Sequence, residues 1–197
     1  TGSVPTTLLL PSVLDAVDIP VIAAGGFFDG RGLAAALSYG AAGIGMGTRF
    51  LLTRDSAVPQ AVKDLYLSHD VNGTVVTSKV DGMPHRMLRT PFVEEVEQSS
   101  SVRRLPSTVR RTLEFKKMAG MSWLQLAKDG RAMKKNQGRT WAQMTLAANT
   151  PMLLKAALVD GNPEVGVLPT GQVTGVIGEV PTVQALLDEI TGEAVRT

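Results

Sequence analysis

The chain has 197 residues, of which 44% are hydrophobic, and its 20 basic and 18 acidic side chains leave a net charge of +2. This composition suits a domain with a buried apolar core. Cysteine is absent, which excludes disulfides, thiolate catalysis and cysteine metal sites, and two histidines are too few for a histidine-rich metal site. No apolar run approaches the roughly 18 residues of a membrane span. We expect a cytoplasmic protein that binds neither a membrane nor nucleic acid.

The spacing of apolar side chains predicts a first helix from Thr6 to Val17. Pro11 falls within its first turns, where proline is best tolerated. Five apolar residues recur at helical intervals, which brings their side chains to one part of the helix surface. These residues are Leu8, Leu9, Val13, Leu14 and Val17.

The stretch from Ile19 to Phe50 predicts strand, glycine turn, helix, strand and second glycine turn. Val21 to Ala24 is a short apolar run, which suits a strand buried on both faces. Asp29 is placed to cap the following helix and Gly40 to end it, and Ile44 to Met46 forms the second strand. Two parallel strands joined by a helix form a right-handed βαβ unit, so both turns lie at the carboxyl ends of strands, where ligands bind in α/β folds. The face of the helix toward the sheet is predicted to contain Leu33, Ala34, Leu37 and Ala41.

The two glycine turns have the properties of a phosphate site. Several backbone N–H groups must converge on a phosphate dianion, and side chains there would block its approach. Gly25, Gly26 and Gly47 supply such positions. Thr48 would add a hydroxyl donor, and a short helix starting near Arg49 would add its N-terminal N–H groups. The alternative is that the glycines make only tight turns, but two turns at one sheet edge favour the phosphate site.

Further helices and one strand are predicted beyond the βαβ unit. A helix is expected from Ser56 to Ser68 and a β-branched strand from Thr74 to Thr77. Near the end of the chain we predict a helix from Pro151 to Val159 and a last helix from Val183 to Ile190. The inward residues are Val58, Ala61, Val62, Leu65 and Tyr66 in the first of these helices and Leu186, Leu187 and Ile190 in the last.

Both histidines and two arginines are candidate functional side chains. Arg86 and Arg89 follow a turn on a short polar segment, where they would either bind an anionic ligand or pair with carboxylates. His69 and His85 belong to the residue type that most often acts as a general base. Neither histidine lies in a motif that ties it to a reacting atom, so structural or surface roles are favoured.

Residues 103–139 are strongly basic. They carry eleven positive and two negative side chains, a net charge of +9, whereas the rest of the chain carries −7. Such a segment would steer a polyanionic ligand such as a coenzyme A thioester, and arginine pairs such as Arg110-Arg111 suit phosphate. The alternative is that these charges are the solvated faces of helices. Both interpretations stay open.

Three motifs resemble the nitronate monooxygenase family, which are FMN-dependent TIM-barrel enzymes related to the FMN-dependent enoyl reductases of fatty-acid synthesis. The first is VIAAGGFFDGRGLAAALSYGAAGIGMGTRF at residues 21–50. The second is TVVTSKVDGMPHRMLRTPF at residues 74–92, and the third is GVLPTGQVTGVI at residues 166–177. The motifs follow the family's order over nearly the whole chain.

The resemblance implies an α/β fold and an FMN site. Residues 1–55 would be the last part of an FMN-binding (β/α)8 barrel, and residues 56–197 would be a mostly helical cover segment that returns to the barrel. The implied cofactor is FMN, and no metal is expected. The residues expected to hold its phosphate or line the approach to it are Gly25, Gly26, Gly45, Met46, Gly47 and Thr48.

The resemblance assigns no catalytic residue within the chain. Thr1-Gly2 fits the residues that follow the family's catalytic histidine, so that histidine is expected just before Thr1. The expected partners are therefore a small-molecule substrate, the N-terminal part of the same protein and, as a homo-oligomer, a second copy of the chain.

Three functions are compatible with the resemblance. The first is FMN-dependent oxidation of nitronates with O2. The second is FMN-dependent reduction of an unsaturated coenzyme A or carrier-protein thioester in steroid or fatty-acid metabolism, as in an actinobacterial branch of the family. The third is a non-catalytic fragment that needs its missing N-terminal part.

Overall fold

A computed structural model describes residues 4–80, 82–98 and 141–197, and it describes side chains in the last stretch from residue 150 onward. The chain divides into two compact units, Thr1–Thr74 with Thr170–Thr197, and Val75–Pro169. No helix among the described residues has both the length and the hydropathy to cross a membrane. In chain order the elements are α1 (Thr6–Ala16), β1 (Ile22–Ala24), α2 (Gly30–Tyr39), β2 (Gly43–Gly45), α3 (Thr48–Leu51), α4 (Gln60–Leu67), β3 (Thr74–Thr77), β4 (His85–Leu88), α5 (Pro91–Gln98), α6 (Trp141–Leu158), a 3-10 helix (Gln172–Val176) and α7 (Val183–Arg196).

The predicted βαβ unit is confirmed in the first unit. β1 and β2 pair in parallel, with Ile22 opposite Gly43 and Ala24 opposite Gly45. The Asp29 carboxylate caps α2 by accepting a 2.9 Å hydrogen bond from the N–H of Gly32. Gly40 ends the helix in the left-handed region, at φ 103°, as the sequence predicts.

The strand β1 is buried on one face only, which corrects the prediction that both faces are covered. Ala23 is buried in a cluster with Leu10, Ala36 and Ala41, while Ile22 on the opposite face is 58% exposed. The helix α1 likewise turns Leu10 inward and leaves much of its predicted apolar stripe in solvent. Among its apolar residues, Leu8, Leu9 and Val13 are exposed. Apolar side chains are therefore exposed on both α1 and β1.

The predicted faces of two helices are correct in part. In α2 the fully buried residue is Ala36, and Leu37 is 47% exposed. In α4 Val62 and Tyr66 are fully buried as predicted, whereas Ala61 is exposed. Lys63 is also buried, because its ammonium group donates a 2.8 Å hydrogen bond to the carbonyl oxygen of Ser56. Within the predicted stretch 56–68, α4 begins at Gln60, since the preceding Pro59 at its N-cap has an extended backbone.

The last helix, α7, is longer than predicted and packs closely on α2. It continues past Ile190 to Arg196. A Cβ on Gly30 would lie 2.5 Å from the carbonyl oxygen of Ile190, so only glycine permits this approach. The Glu193 carboxylate accepts a 2.7 Å hydrogen bond from the N–H of Gly30. Leu186 and Ile190 are buried as predicted, whereas Leu187 is 40% exposed.

Among its described residues, the second unit contains the β3–β4 sheet and the helices α5 and α6. The predicted polar segment around Arg86 is the strand β4, and α5 was not predicted. The helix predicted from Pro151 to Val159 is the second half of α6, which begins at Trp141. The core of this unit contains Val80, Met87, Phe92, Val93 and Val167. The basic segment, residues 103–139, lies outside the described residues.

Candidate functional site

The two glycine turns meet at the carboxyl edge of the β1–β2 pair. Ala24 on β1 lies directly opposite Gly45 on β2. The first turn begins with Gly25, one residue after Ala24, and the second turn begins with Gly47, two residues after Gly45. Neighbouring strands are about 4.8 Å apart. The structure therefore brings together the two turns that the sequence separates by some 20 residues.

Gly25 and Gly26 leave an open space at this edge. Their φ angles are +94° and +89°, which favours glycine because other L residues are strained there. A Cβ built on either residue would meet no atom of the described residues within 4 Å. The backbone is thus accessible where a phosphate would approach it. This accessibility fits the donor set that the sequence predicts.

The second turn presents unused N–H groups. The hydrogen bonds of α3 begin with Leu51 N–H, which donates to the carbonyl oxygen of Gly47 at 3.0 Å. The N–H groups of the three preceding residues have no intrahelical acceptor. Gly47 also has open space at its Cβ position, whereas a Cβ on Gly45 would lie 3.4 Å from that of Ala24. Met46 between them is half-buried.

The Thr48 hydroxyl has a partner that the sequence did not indicate. Its oxygen accepts a 2.9 Å hydrogen bond from the backbone N–H of Gly171, a residue 123 positions away. A hydroxyl has one hydrogen and two acceptor lone pairs, so this bond leaves the hydrogen available. Among the described residues no acceptor for that hydrogen is present.

The side chain of Arg49 is buried. The sequence predicted only that a short helix begins near this residue. Its guanidinium donates 3.1 Å hydrogen bonds to the carbonyl oxygen and to the carboxylate of Glu179. Nearby, Arg54 donates to the carbonyl oxygen of Val180, and Asp55 accepts from the N–H of Val183. We call residues 171–183 the C-terminal strap, because these bonds hold them along the second glycine turn.

A surface cleft of about 210 Å³ lies beside the strap. Five of its six charged side chains form ion pairs: Arg31 contacts Asp29 and Glu193, and Arg49 contacts Glu179. The hydrogen bond from Arg31 to Asp29 raises the pKa of the guanidinium, so this arginine stays charged. In the described part of the chain no group of three possible metal ligands occurs.

The remaining candidate side chains lie away from the glycine turns in sequence. His69 Nδ1 lies 2.7 Å from the carbonyl oxygen of Leu65, which is a structural contact at the end of α4. Arg89 pairs with Glu94 at 3.8 Å, as the carboxylate interpretation predicted. His85 and Arg86 belong to strand β4 of the second unit.

Known proteins resemble this chain over its full length. It is 59% identical over 196 residues to the (3aS,4S,5R,7aS)-5-hydroxy-7a-methyl-1-oxo-octahydro-1H-indene-4-carboxyl-CoA dehydrogenase of Rhodococcus jostii, covering 100% of this chain and 56% of that protein. The enzyme of the same name in Mycobacterium tuberculosis is 58% identical, with 99% and 56% covered. A probable nitronate monooxygenase of Staphylococcus aureus is 42% identical over 93 residues, with 47% and 26% covered. The chain spans just over half the length of the first two relatives.

Solved structures give the same answer at the level of fold. FabK from Thermotoga maritima is 31% identical, with a TM-score of 0.67 over 99% of this chain and 50% of that one. The nitroalkane oxidase of Streptomyces ansochromogenes is 26% identical, with a TM-score of 0.63 over 95% and 43%. The predicted fold class, the C-terminal part of an α/β barrel with a mostly helical segment, is confirmed. The nitronate monooxygenase family model matches residues 1–193. The chain belongs to the nitronate monooxygenase family.

Proposed function

We propose that this chain is the phosphate-binding C-terminal part of an FMN-dependent oxidoreductase that acts on a coenzyme A thioester. The observation that supports it most directly is the pair of adjacent glycine turns with open space above Gly25, Gly26 and Gly47. A single terminal phosphate fits between turns on neighbouring strands. FMN ends in such a phosphate, and its isoalloxazine ring supplies the redox chemistry when it is bound.

The residues of this chain bind and orient the cofactor in this proposal. The backbone N–H groups of the two turns donate to the phosphate, and Thr48 adds its hydroxyl hydrogen. Gly45 and Met46 line the approach. No proton transfer is assigned to a described residue.

The share of this chain that each relative matches favours the thioester as the substrate. The relatives named as carboxyl-CoA dehydrogenases match essentially the entire chain, including the basic segment at 103–139. The relative named as a nitronate monooxygenase matches less than half of it. We therefore infer a substrate of the first kind, a thioester of a bicyclic ketone carboxylic acid, as expected in steroid-ring metabolism.

Nitronate oxidation is the second candidate, and the family model favours it. The two candidates differ in which substrate changes the oxidation state of the flavin. The experiment mixes the full gene product, loaded with FMN, with a hydroindanone carboxyl-CoA or with a simple nitronate. The readouts are flavin absorbance without O2 and O2 uptake in air.

The thioester proposal expects the carboxyl-CoA to bleach the flavin, or to reoxidise flavin that NAD(P)H has reduced. The first outcome indicates a dehydrogenase and the second a reductase. Nitronate-dependent O2 uptake with no response to the thioester would overturn it in favour of the second candidate. A flavin that responds to neither compound would overturn both.

A further inference from the structure

We propose that the backbone N–H of Gly171 is a positioning group of the phosphate site, which aims the Thr48 hydroxyl at the ligand. The inference rests on the proposed FMN site and extends it to a residue of the C-terminal strap. The donor is a main-chain group 123 residues away from the side chain it orients.

The geometry gives the Thr48 hydroxyl one direction in which to donate. Its oxygen accepts from Gly171 at 2.9 Å, so one lone pair is engaged. Its single hydrogen must point elsewhere, and within the described residues it meets no acceptor. Thr48 follows Gly47 directly at the open edge of the sheet. A phosphate held by the glycine turns is therefore the acceptor that this hydroxyl lacks.

The Gly171 donor is held rigidly by the 3-10 helix that begins at the next residue. Thr174, which is fully buried, donates its N–H to the carbonyl oxygen of Gly171 at 3.2 Å and its hydroxyl to the carbonyl oxygen of Tyr66 at 3.1 Å. A Cβ on Gly175 would overlap the backbone nitrogen of Val71, so the 3-10 helix sits directly on the turn after α4. A donor fixed in this way costs little ordering entropy when the ligand binds.

The bond also strengthens the hydroxyl as a donor. An N–H that donates to a hydroxyl oxygen polarises its O–H group, and chains of hydrogen bonds reinforce one another. The resulting chain runs from Gly171 N–H through Thr48 Oγ1 to the phosphate. Loss of the first bond should weaken the second one.

Position 171 offers a matched pair of substitutions. Its backbone is extended, at φ −95° and ψ 162°, so its conformation does not require glycine. In Gly171→Ala the N–H stays, and the new Cβ lies 3.4 Å from Val173 Cγ2, an ordinary contact. In Gly171→Pro the N–H is gone, and the φ angle needs to move by only about 30°.

The experiment measures the dissociation constants of FMN and of riboflavin, which lacks the phosphate, with the full gene product. Thr48→Val should weaken FMN about tenfold to a hundredfold, as expected for loss of a bond to a charged group. Gly171→Pro should weaken FMN about two- to tenfold. Thr48→Ser and Gly171→Ala should keep FMN affinity within about twofold. None of the four should change riboflavin affinity.

A double variant tests whether Gly171 acts through Thr48. In Thr48→Val/Gly171→Pro the FMN affinity should match that of Thr48→Val alone. Additive losses would overturn the inference, as would an unaltered FMN affinity in Gly171→Pro or equal losses of FMN and riboflavin. Wild-type protein that does not prefer FMN over riboflavin would instead overturn the phosphate site of the proposed function.

A second measurement does not depend on the proline variant folding. Amide hydrogen exchange at Gly171 should be slow in the wild type and in Thr48→Ser, and faster in Thr48→Val, because only the last one lacks the acceptor. An unprotected Gly171 amide in the wild type, or no change in Thr48→Val, would overturn the inference.

Discussion

Three glycines at the edge of the β1–β2 pair differ from the close-packed glycines elsewhere in the chain. A Cβ on Gly30 or Gly175 would collide with the backbone of another segment, so glycine there serves packing. Gly25, Gly26 and Gly47 have no atom of the described residues within 4 Å of that position. Open space beside an exposed backbone is where a ligand can lie. At Gly47, whose φ is −95°, a substitution should therefore affect binding more than folding, whereas at Gly25 and Gly26 the positive φ also strains any other residue.

At the residue scale we predict that Gly47→Val abolishes flavin retention. The backbone at this position, φ −95° and ψ −71°, is open to valine, so the protein should fold while the branched side chain occupies the space of the phosphate. The flavin-to-protein ratio after gel filtration measures the loss. Gly178→Val is the matched control, since Gly178 also has open space but lies outside the glycine turns. A Gly47→Val protein that keeps its full content of flavin would contradict the assignment of this site.

At the element scale, the parts that could be predicted are those with local signals. Asp29 and Gly40 mark the ends of α2 by their own capping chemistry, and the β-branched run at Thr74–Thr77 is a strand. The glycine turns were predictable for the same reason. The C-terminal strap was not, because its bonds join residues more than a hundred positions apart, and nothing near Arg49 indicates its partner Glu179.

Burial was predicted less well than the elements themselves. Helical spacing identifies an apolar stripe but does not say which part of it faces the sheet, so Ala36 is buried instead of Leu37. Lys63 is buried because a carbonyl oxygen lies within its reach, a contact that no periodicity contains. Contacts with residues distant in the chain determine the burial of these side chains, and the spacing of apolar residues does not predict such contacts.

The strap gives an element-scale prediction at Arg49. Arg49→Met keeps much of the apolar stem but removes the donors to the Glu179 carbonyl oxygen, and should lower the free energy of unfolding by about 1–3 kcal/mol. Glu179→Gln should change it by less than about 0.5 kcal/mol, because that carboxylate is 61% exposed and the carbonyl bond stays. Chemical denaturation measures both. Equal losses would show that the carboxylate, rather than the carbonyl oxygen, anchors the strap.

At the scale of the whole molecule, the surfaces of α1 and β1 expose large apolar side chains. Leu8 is 62% exposed and Ile22 is 58% exposed, and β1 pairs only with β2 among the described strands. Exposed apolar faces and strand edges promote association. Another polypeptide segment should therefore cover these surfaces in the functional protein.

We expect the isolated 197-residue chain to self-associate and to bind a hydrophobic dye, as sedimentation and fluorescence would show. Co-expression with the part of the Rhodococcus jostii relative that this chain does not match should reduce both effects. A monodisperse monomer that unfolds cooperatively on its own would contradict the expectation.

The basic segment supplies a second prediction at this scale. If residues 103–139 steer a coenzyme A thioester, reversing Arg110 and Arg111 to glutamate should weaken thioester binding while FMN stays bound. Thioester affinity should also fall steeply with salt, because exposed charges are screened within about 10 Å at 0.1 M. Binding titrations at several ionic strengths test this. Salt-independent binding would leave the segment as a solvated surface.

The first unit is made from both ends of the chain, and this has a consequence for synthesis. The ribosome releases the glycine turns before it releases Gly171 and α7, which contact Thr48 and Gly30. These contacts can therefore form only after residues 75–169 have been synthesised. During that time the two glycine turns lack the support of the C-terminal strap and α7. Loop closure costs only about 0.6 kcal/mol for each doubling of length, so the length of that middle unit is free to vary among relatives without harming the site.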